Sequence, residues 1–235
     1  PPVTWVSDIA SVLQNGHKPI FVDISRKHLG MRTDKILSAL GANTKAVFIT
    51  HLLGLNSLTT KLVEELERRK IWLIEDCCEA HGATFKGKKL GSIGIVSNFS
   101  FYYAHHLSTI EGGMICTNNE TVYNIARMLR SHGLLRESKS QIYKEDMTRK
   151  HPGLNSDFIF CYPGYNVRST ELNAVIGRSQ LLRLNENNKE RRENFRIFLN
   201  NLNPEKYQTD FRTAGASPYA LILVLKNKDK ALADR

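Results

Sequence analysis

The sequence predicts an α/β protein built on a parallel sheet, and three observations predict it. Between residues 46 and 75 an amphipathic helical stretch, TKLVEELERRK, lies between two short apolar runs, KAVFIT and IWLIE, the strand–helix–strand order of a parallel sheet. Polar loops of small residues follow predicted strands, DCCEAHGA after WLIE and the histidine-bearing AHHLSTIEGG after NFSFYY, and such sheets bind ligands at those strand ends. An apolar fraction of 41% over 235 residues, with mean hydropathy −0.33, supplies the core of one large domain, or of a domain and a piece of another.

Taken in order, residues 3–5 read as the end of a strand, 6–15 as a helix closed by Gly16, and KPIFVDI (18–24) as a short buried strand. Helical apolar spacing over 32–40 ends near Gly41, and a strand over 46–50 runs into a loop with His51 and Gly54. The helix over 59–70 leads to the strand 72–75, after which KGKKLGSIG reads as a hairpin or turn. Strands over 95–100 and 113–117 flank the histidine loop, and a helix follows over 119–130. Residues 131–158 are a polar, glycine-punctuated connection, long enough to suggest a substrate cover or interface arm. A Tyr-Asn-x-Arg loop then opens a long helical region with Glu171 near its start, and the last strand is expected over 220–224, with a helix beginning after it. Both ends cut through elements, so the 235 residues read as a portion of a longer polypeptide.

The formal net charge of +10 is spread through helices where acids sit among the bases, as in EELERRK and NNKERRENFR. That pattern argues against nucleic acid and suits a phosphate-bearing small substrate. No apolar run approaches the roughly 20 residues that span a bilayer, and PPVTWVSDIA has no signal core, which makes the cytoplasm the default and gives no membrane partner. Cys77, Cys78, Cys116 and Cys161 have neither CxxC nor zinc-ribbon spacing, which argues for a reduced compartment and against a dedicated metal site.

Asp76, directly after WLIE, can accept a hydrogen bond from a protonated ring nitrogen and keep it charged; the same position suits a capping or turn aspartate. Glu79 and His81 read as cofactor neighbours or as polar loop residues. In the histidine loop Ser100 can hold a phosphate and His105, beside His106, can act as a base near neutral pH. There is no lysine from Phe99 to Thr117, so the base there is an imidazole, unable to keep an aldehyde as a stable Schiff base.

Thr4-Trp5, KPIFVDI, HLLG, IEDCCEAHGATFKGKKLGSIG, SFYYAHHLSTIEGGMICTN, LRSHG and GYNVRSTELNAVIG follow one another at spacings that resemble the DegT/DnrJ/EryC1/StrS-type sugar aminotransferases. These are fold-type-I, pyridoxal-phosphate proteins acting on nucleotide-linked keto sugars. The resemblance implies a three-layer, aspartate aminotransferase-like α/β large domain over 1–185 that lacks its N-terminal part. Residues 186–235 would then be a connecting helix and the truncated start of a small C-terminal α+β domain. It implies that Asp76 pairs with the pyridine nitrogen, Trp5 stacks on the ring, Ser100 binds the cofactor phosphate, and Glu79 stands where aminotransferases usually have glutamine. Asn166 resembles the asparagine that reaches from one subunit to the phosphate held by the other, implying a homodimer with shared sites.

His105 stands where aminotransferases have their cofactor-bearing lysine. This, with His106 and the following EGG, is similar to the nucleotide-sugar 3-dehydratases of the family, in which a histidine is the sole acid/base and the cofactor is not covalently held. Tyr103 replaces their proline, and Ser108-Thr109-Ile110 replaces Thr-Met-Gly. The resemblance implies non-covalent pyridoxal or pyridoxamine 5′-phosphate and a nucleotide-linked 4-keto-6-deoxy sugar as substrate, contacted by His106 and Arg168. L-glutamate would be the amino donor, in a deoxysugar route to cell-surface polysaccharide. Other amine chemistry in a lysine-less relative, and a non-catalytic sugar-nucleotide binder, are the competing expectations.

Overall fold

In the computed structural model, which describes residues 1–227, four short β-rich segments assemble the central sheet. They are β1 (Ala46–Thr50), β2 (Trp72–Asp76), β5 (Val96–Ser100) and β6 (Gly113–Cys116), side by side in that order. β1, β2 and β5 run parallel, whereas β6 returns antiparallel to β5, so the sheet is mixed where the sequence predicts parallel strands. The histidine loop causes that reversal: joining β5 to β6 without a helix, it can only fold the chain back on itself. Register places Thr50 against Asp76 and Asp76 against Asn98, which aligns the C-terminal ends of the three parallel strands.

The expected hairpin is present as β3 (Thr84–Phe85) and β4 (Lys88–Lys89). Its two-residue turn has positive φ at both Lys86 (50°) and Gly87 (79°), the twist that matches paired strands. Helices α1 (Val6–Gln14), α2 (Thr33–Ala39), α3 (Thr60–Arg68) and α4 (Glu120–Leu129) fall where apolar spacing predicts them. α3 is capped by the Thr59 hydroxyl on the Leu62 N–H and buries Leu62 and Leu66, four residues apart, while Glu65 holds Arg68 and Arg69 on the wet side. Those leucines pack with Ile36, Val47, Ile49, Leu58 and Leu73 into the main core; each contributes roughly 1.5–3 kcal/mol by burial.

Four expectations are corrected. Residues 3–5 form no strand but lead straight into α1. Residues 18–24 are extended with one bridge, Ile24 to Met31, because Pro19 cannot donate to a ladder and Ile20 and Phe21 face solvent, leaving Val22 to reach the core. The polar connection holds a helix, α5 (Gln141–Lys150), capped by Ser140 and with no buried residue, so it carries no apolar period to betray it. Residues 220–224 alternate correctly, Ile222 buried between exposed Leu221 and Leu223, but nearby pairing is limited to the bridge Tyr207 to Leu225. The helix expected after them falls on residues 228–235, outside the described part.

The last helix, α6 (Glu171–Asn201), is 31 residues long and begins in a reciprocal cap between Thr170 and Asn173. It runs unbroken through residue 185, where the sequence places a domain boundary. Its C-terminal half contributes Phe195 and Leu199 to a second core with Leu29, Leu55, Phe211, Ala216 and Ile222. No helix among the described residues is long and apolar enough to cross a membrane.

Candidate active site

The frame of the site hangs on Glu75, fully buried in β2. Its carboxylate accepts hydrogen bonds from the backbone N–H groups of Gly91 (3.0 Å), Ile93 (2.9 Å) and Gly94 (2.7 Å) and meets His51 Nε2 at 3.2 Å. Burial pushes this carboxyl up, but His51 and the Gly91 and Gly94 donors outweigh it and hold it below the usual range. Cys77 Sγ joins His51 and Glu75 within 4.8 Å, a grouping the cysteine spacing does not foretell. It is spent on structure: His51 Nδ1 accepts from Ser57 N (3.2 Å), so Nε2 carries the proton, and burial holds the Cys77 thiol in its neutral form.

One residue further along β2, Asp76 emerges at the sheet edge, still only 5% exposed. Its Oδ1 accepts from Cys78 N (2.9 Å) and Asn98 Nδ2 (3.0 Å), which fixes one oxygen and leaves the other to the site. There it meets Asp8, from the first turn of α1. Asp8 Oδ2 is itself held by the hydroxyls of Thr4 and, at 2.7 Å, Thr50. Burial, and then the charge of Asp8, push the Asp76 carboxyl up to about 6 against the opposing pull of Cys78. Glu79 completes this acidic wall: burial and Asp8 raise it, while its bond from Leu53 N (2.6 Å) opposes the rise.

The imidazoles cluster around His81. His105 is half-buried, its Nδ1 enclosed without a hydrogen-bond partner, its ring 5.4 Å from Tyr219, 5.9 Å from His81 and 6.0 Å from Tyr102. Burial lowers its pKa, so it is a neutral base at pH 7. His81, desolvated and facing His106 and His105, is lowered to about 3 against an opposing pull from the Ser100 backbone. His106 is lowered to about 4, by burial first and the Arg191 charge next. Its Nε2 donates to the Ser217 carbonyl at 3.0 Å, so the ring expected at the substrate is enclosed and fastens the Ser217–Tyr219 segment beside His105.

The loop carrying these rings is clamped. Thr109 N donates to Phe101 O (2.9 Å), Phe101 N donates to Gly112 O (2.8 Å), and Asn173 Nδ2, in the first turn of α6, donates to the carbonyls of Thr109 (2.8 Å) and Glu111 (3.2 Å). A Cβ on Gly112 would lie 2.5 Å from Thr109 Oγ1, so the Glu-Gly-Gly turn is a fitted bend.

Of the other expected residues, Ser100 closes β5, half-buried, its Oγ accepting from Tyr102 N at 3.3 Å. Trp5 caps α1 with its ring 75% exposed, adjacent in sequence to the Thr4 that holds Asp8. Asn166 and Arg168 sit on an exposed loop bridged to Ser131, Arg168 donating to Asn166 Oδ1 (3.1 Å) and Ser131 Oγ (3.0 Å). Among the described residues no hydrogen bond joins them to Asp76, Ser100 or His105. Asp8 is the member of this acidic wall that sequence reasoning misses: an acid in the first turn of a helix ordinarily serves the helix dipole, yet the carboxylate of this one is held by Thr4 and Thr50.

A buried carboxyl with one free oxygen, a hydroxyl at the end of the neighbouring strand, an open indole and a neutral imidazole suit a flat nitrogen heterocycle that bears a phosphate. The model of the DegT/DnrJ/EryC1/StrS aminotransferase family matches residues 1–233. The GDP-4-keto-6-deoxy-D-mannose 3-dehydratase of Yersinia pseudotuberculosis is 33% identical over 227 residues, 96% of this chain and 58% of that protein. The GDP-perosamine synthase of Escherichia coli O157:H7 is 31% identical over 203 residues, 86% of this chain and 51% of that protein. A solved GDP-4-keto-6-deoxymannose-3-dehydratase with a trapped PLP-glutamate geminal diamine superposes with a TM-score of 0.80 at 29% identity, over 97% of this chain and 59% of the other. The chain thus spans a little over half the length of these relatives. The α/β sheet with its flanking helices is the large domain of the three-layer, aspartate aminotransferase-like fold type I, and the chain belongs to the DegT/DnrJ/EryC1/StrS aminotransferase family.

Proposed function

We propose that this chain is the catalytic core of a cytoplasmic enzyme that removes the 3-hydroxyl of a nucleotide-linked 4-keto-6-deoxy sugar, using non-covalently bound pyridoxamine or pyridoxal 5′-phosphate. The observation that carries the reading is His105: a neutral, half-buried imidazole in a loop without lysine that follows β5, the neighbour of the strand that ends in Asp76. When bound, the cofactor supplies an electron sink and an amine for the 4-keto group. Asp76 holds the proton on the ring nitrogen, Ser100 donates to the phosphate, and Trp5 covers one ring face. Glu79 borders the ring, its position set by the Leu53 N–H. With Nδ1 enclosed, His105 works through Nε2, taking one proton and giving one to the departing 3-hydroxyl. Arg168, steadied by Asn166 and Ser131, offers a charge to the nucleotide phosphates, and His106 serves the substrate indirectly by fixing Tyr219 against His105. L-glutamate would be the amino donor. A deoxysugar supplied to cell-surface polysaccharide is the corresponding product.

The second reading, other amine chemistry on a nucleotide sugar, is favoured by the similarity to a perosamine synthase. Full-length protein and its His105→Lys variant, incubated with pyridoxamine phosphate, glutamate and GDP-, CDP-, UDP- and dTDP-linked 4-keto-6-deoxy sugars, separate the two. A wild-type product lacking one oxygen is expected; a wild-type amino sugar overturns the dehydration reading, and the absence of both product and bound cofactor favours a non-catalytic binder.

The homodimer belongs to the same reading. Tyr165, Val167, Leu172, Val175 and Leu182 expose 83%, 69%, 78%, 66% and 87% of their surface along the Asn166 loop and the first half of α6, an apolar stripe suited to a second copy. Leu182→Asp is expected to convert a dimer to monomer in light scattering while leaving the fold intact; an unchanged mass removes this stripe from the interface.

A further inference from the structure

We propose that Asp8 is a positioning residue for Asp76, a second carboxyl that shares a proton with it and so sets the pH at which the site accepts the cofactor's ring nitrogen. The inference rests on the reading of Asp76 as the partner of that nitrogen. Both carboxyls are more than nine-tenths buried, 9% and 5% exposed, and they come from elements far apart in the chain, α1 and the end of β2. Each has one oxygen fixed by donors: Asp8 Oδ2 by Thr4 and Thr50, Asp76 Oδ1 by Cys78 N and Asn98. Thr50, whose hydroxyl holds Asp8, is the register partner of Asp76 across β1 and β2, which brings the two carboxyls to the same strand ends, and Asp8 is the charged side chain that raises Asp76. The charged or titratable groups around the pair are Glu79 and the Cys78 thiol, with the Pro1 amino group beside Asp8. Burial lowers that amino group, so it supplies a weakened counter-charge.

Two buried carboxylates in contact cannot both ionise freely, so in acid one proton stays between them. A docked ring nitrogen brings its own N–H to Asp76, and the shared proton must leave: an O–H bond on the pair breaks, the proton goes to solvent, and an N–H···O bond takes its place. Once the pair is fully ionised, Asp8 adds its charge behind Asp76 and strengthens the hold on the ring proton. Asp76, raised to about 6, therefore ties cofactor affinity to pH in the slightly acid range. For the free protein the sign is fixed as well: the folded state binds the proton more tightly than the unfolded chain. Stability accordingly falls as pH rises from the ordinary aspartate range through about 6.

The test is Asp8→Asn in the full-length protein, read by pyridoxamine phosphate affinity from pH 5 to 8 and by melting of the cofactor-free protein over the same range. The amide keeps an acceptor for the two threonines and removes the shared charge. Wild-type affinity is expected to climb with pH up to about 7; the variant's climb moves about one pH unit lower, so that near pH 5 the variant binds several-fold to about tenfold more tightly. Above pH 7 the order reverses, and the cofactor-free variant melts higher than wild type at pH 8. Thr50→Val, which strips a donor from Asp8, shifts the wild-type curve the opposite way. A constant loss of affinity at every pH, or a melting deficit that does not vary with pH, makes Asp8 merely structural and overturns the proposal. Failure of wild type to bind pyridoxamine phosphate at any pH overturns the cofactor reading instead, while the melting curves still report on the carboxyl pair.

Discussion

His105→Asn in the full-length protein should lower kcat for loss of the 3-hydroxyl by about 10²–10⁴-fold, the range that removal of a lone acid/base group produces. Asparagine fills similar space and cannot carry a proton, whereas Asp76, Ser100 and Trp5 are untouched. Pyridoxamine phosphate should therefore still bind, and its absorbance titration should match wild type within a few-fold. The split matters. If affinity and turnover fall together, the ring holds the cofactor rather than moving protons. His81 and His106 cannot stand in, because desolvation lowers them to about 3 and about 4 and the bond from His106 Nε2 to the Ser217 carbonyl commits its proton.

Glu75→Ala should be the most damaging change to the fold. It strands the N–H groups of Gly91, Ile93 and Gly94 and the Nε2–H of His51 in a fully buried site. Orphaned buried donors cost about 1–3 kcal/mol each, and four of them together are a large share of a domain's stability. Urea denaturation should show the midpoint collapse or a chain that does not fold. Glu75→Gln should lose less, since its carbonyl still accepts from the backbone donors. Because the Glu75 carboxyl is held below its unfolded value, its contribution is complete above the ordinary glutamate range and fades as pH falls through the lowered one. A Glu75→Ala protein of near wild-type stability would show that the loops beneath the site are held by something else.

The parts of this architecture that the sequence announces are those whose physics is local. β1 and β2 are β-branched or apolar runs with polar loops at their ends, and α3 pairs an N-cap threonine with leucines four apart. α5 escaped because nothing on it is buried, which removes the period that marks a helix, although its capping serine was in plain view. Residues 18–24 have a strand's composition without a strand's partner, and pairing is a property of the fold rather than of the segment.

The site divides in the same way. Asp76 and Ser100 end their strands, so their placement at one edge is readable from order alone, with His105 five residues into the loop beyond Ser100. Asp8 meets Asp76 only because α1 packs against the end of β1 through Thr4 and Thr50, a contact that no spacing encodes. His106 looks identical to His105 in sequence, yet its neighbour is Ser217, 111 residues later, and that contact turns it from a candidate ligand group into a fastener.

The central claim, that a histidine in place of the lysine turns this family's chemistry toward deoxygenation, meets its most direct test in deuterated water. Full-length protein loaded with pyridoxamine phosphate is given the 4-keto-6-deoxy sugar nucleotide that it accepts, and the product is assigned by mass and proton spectra. The account predicts a 3-deoxy-4-keto sugar with solvent deuterium at C3 and no nitrogen. An intact 3-hydroxyl with an amino group at C4 would contradict it.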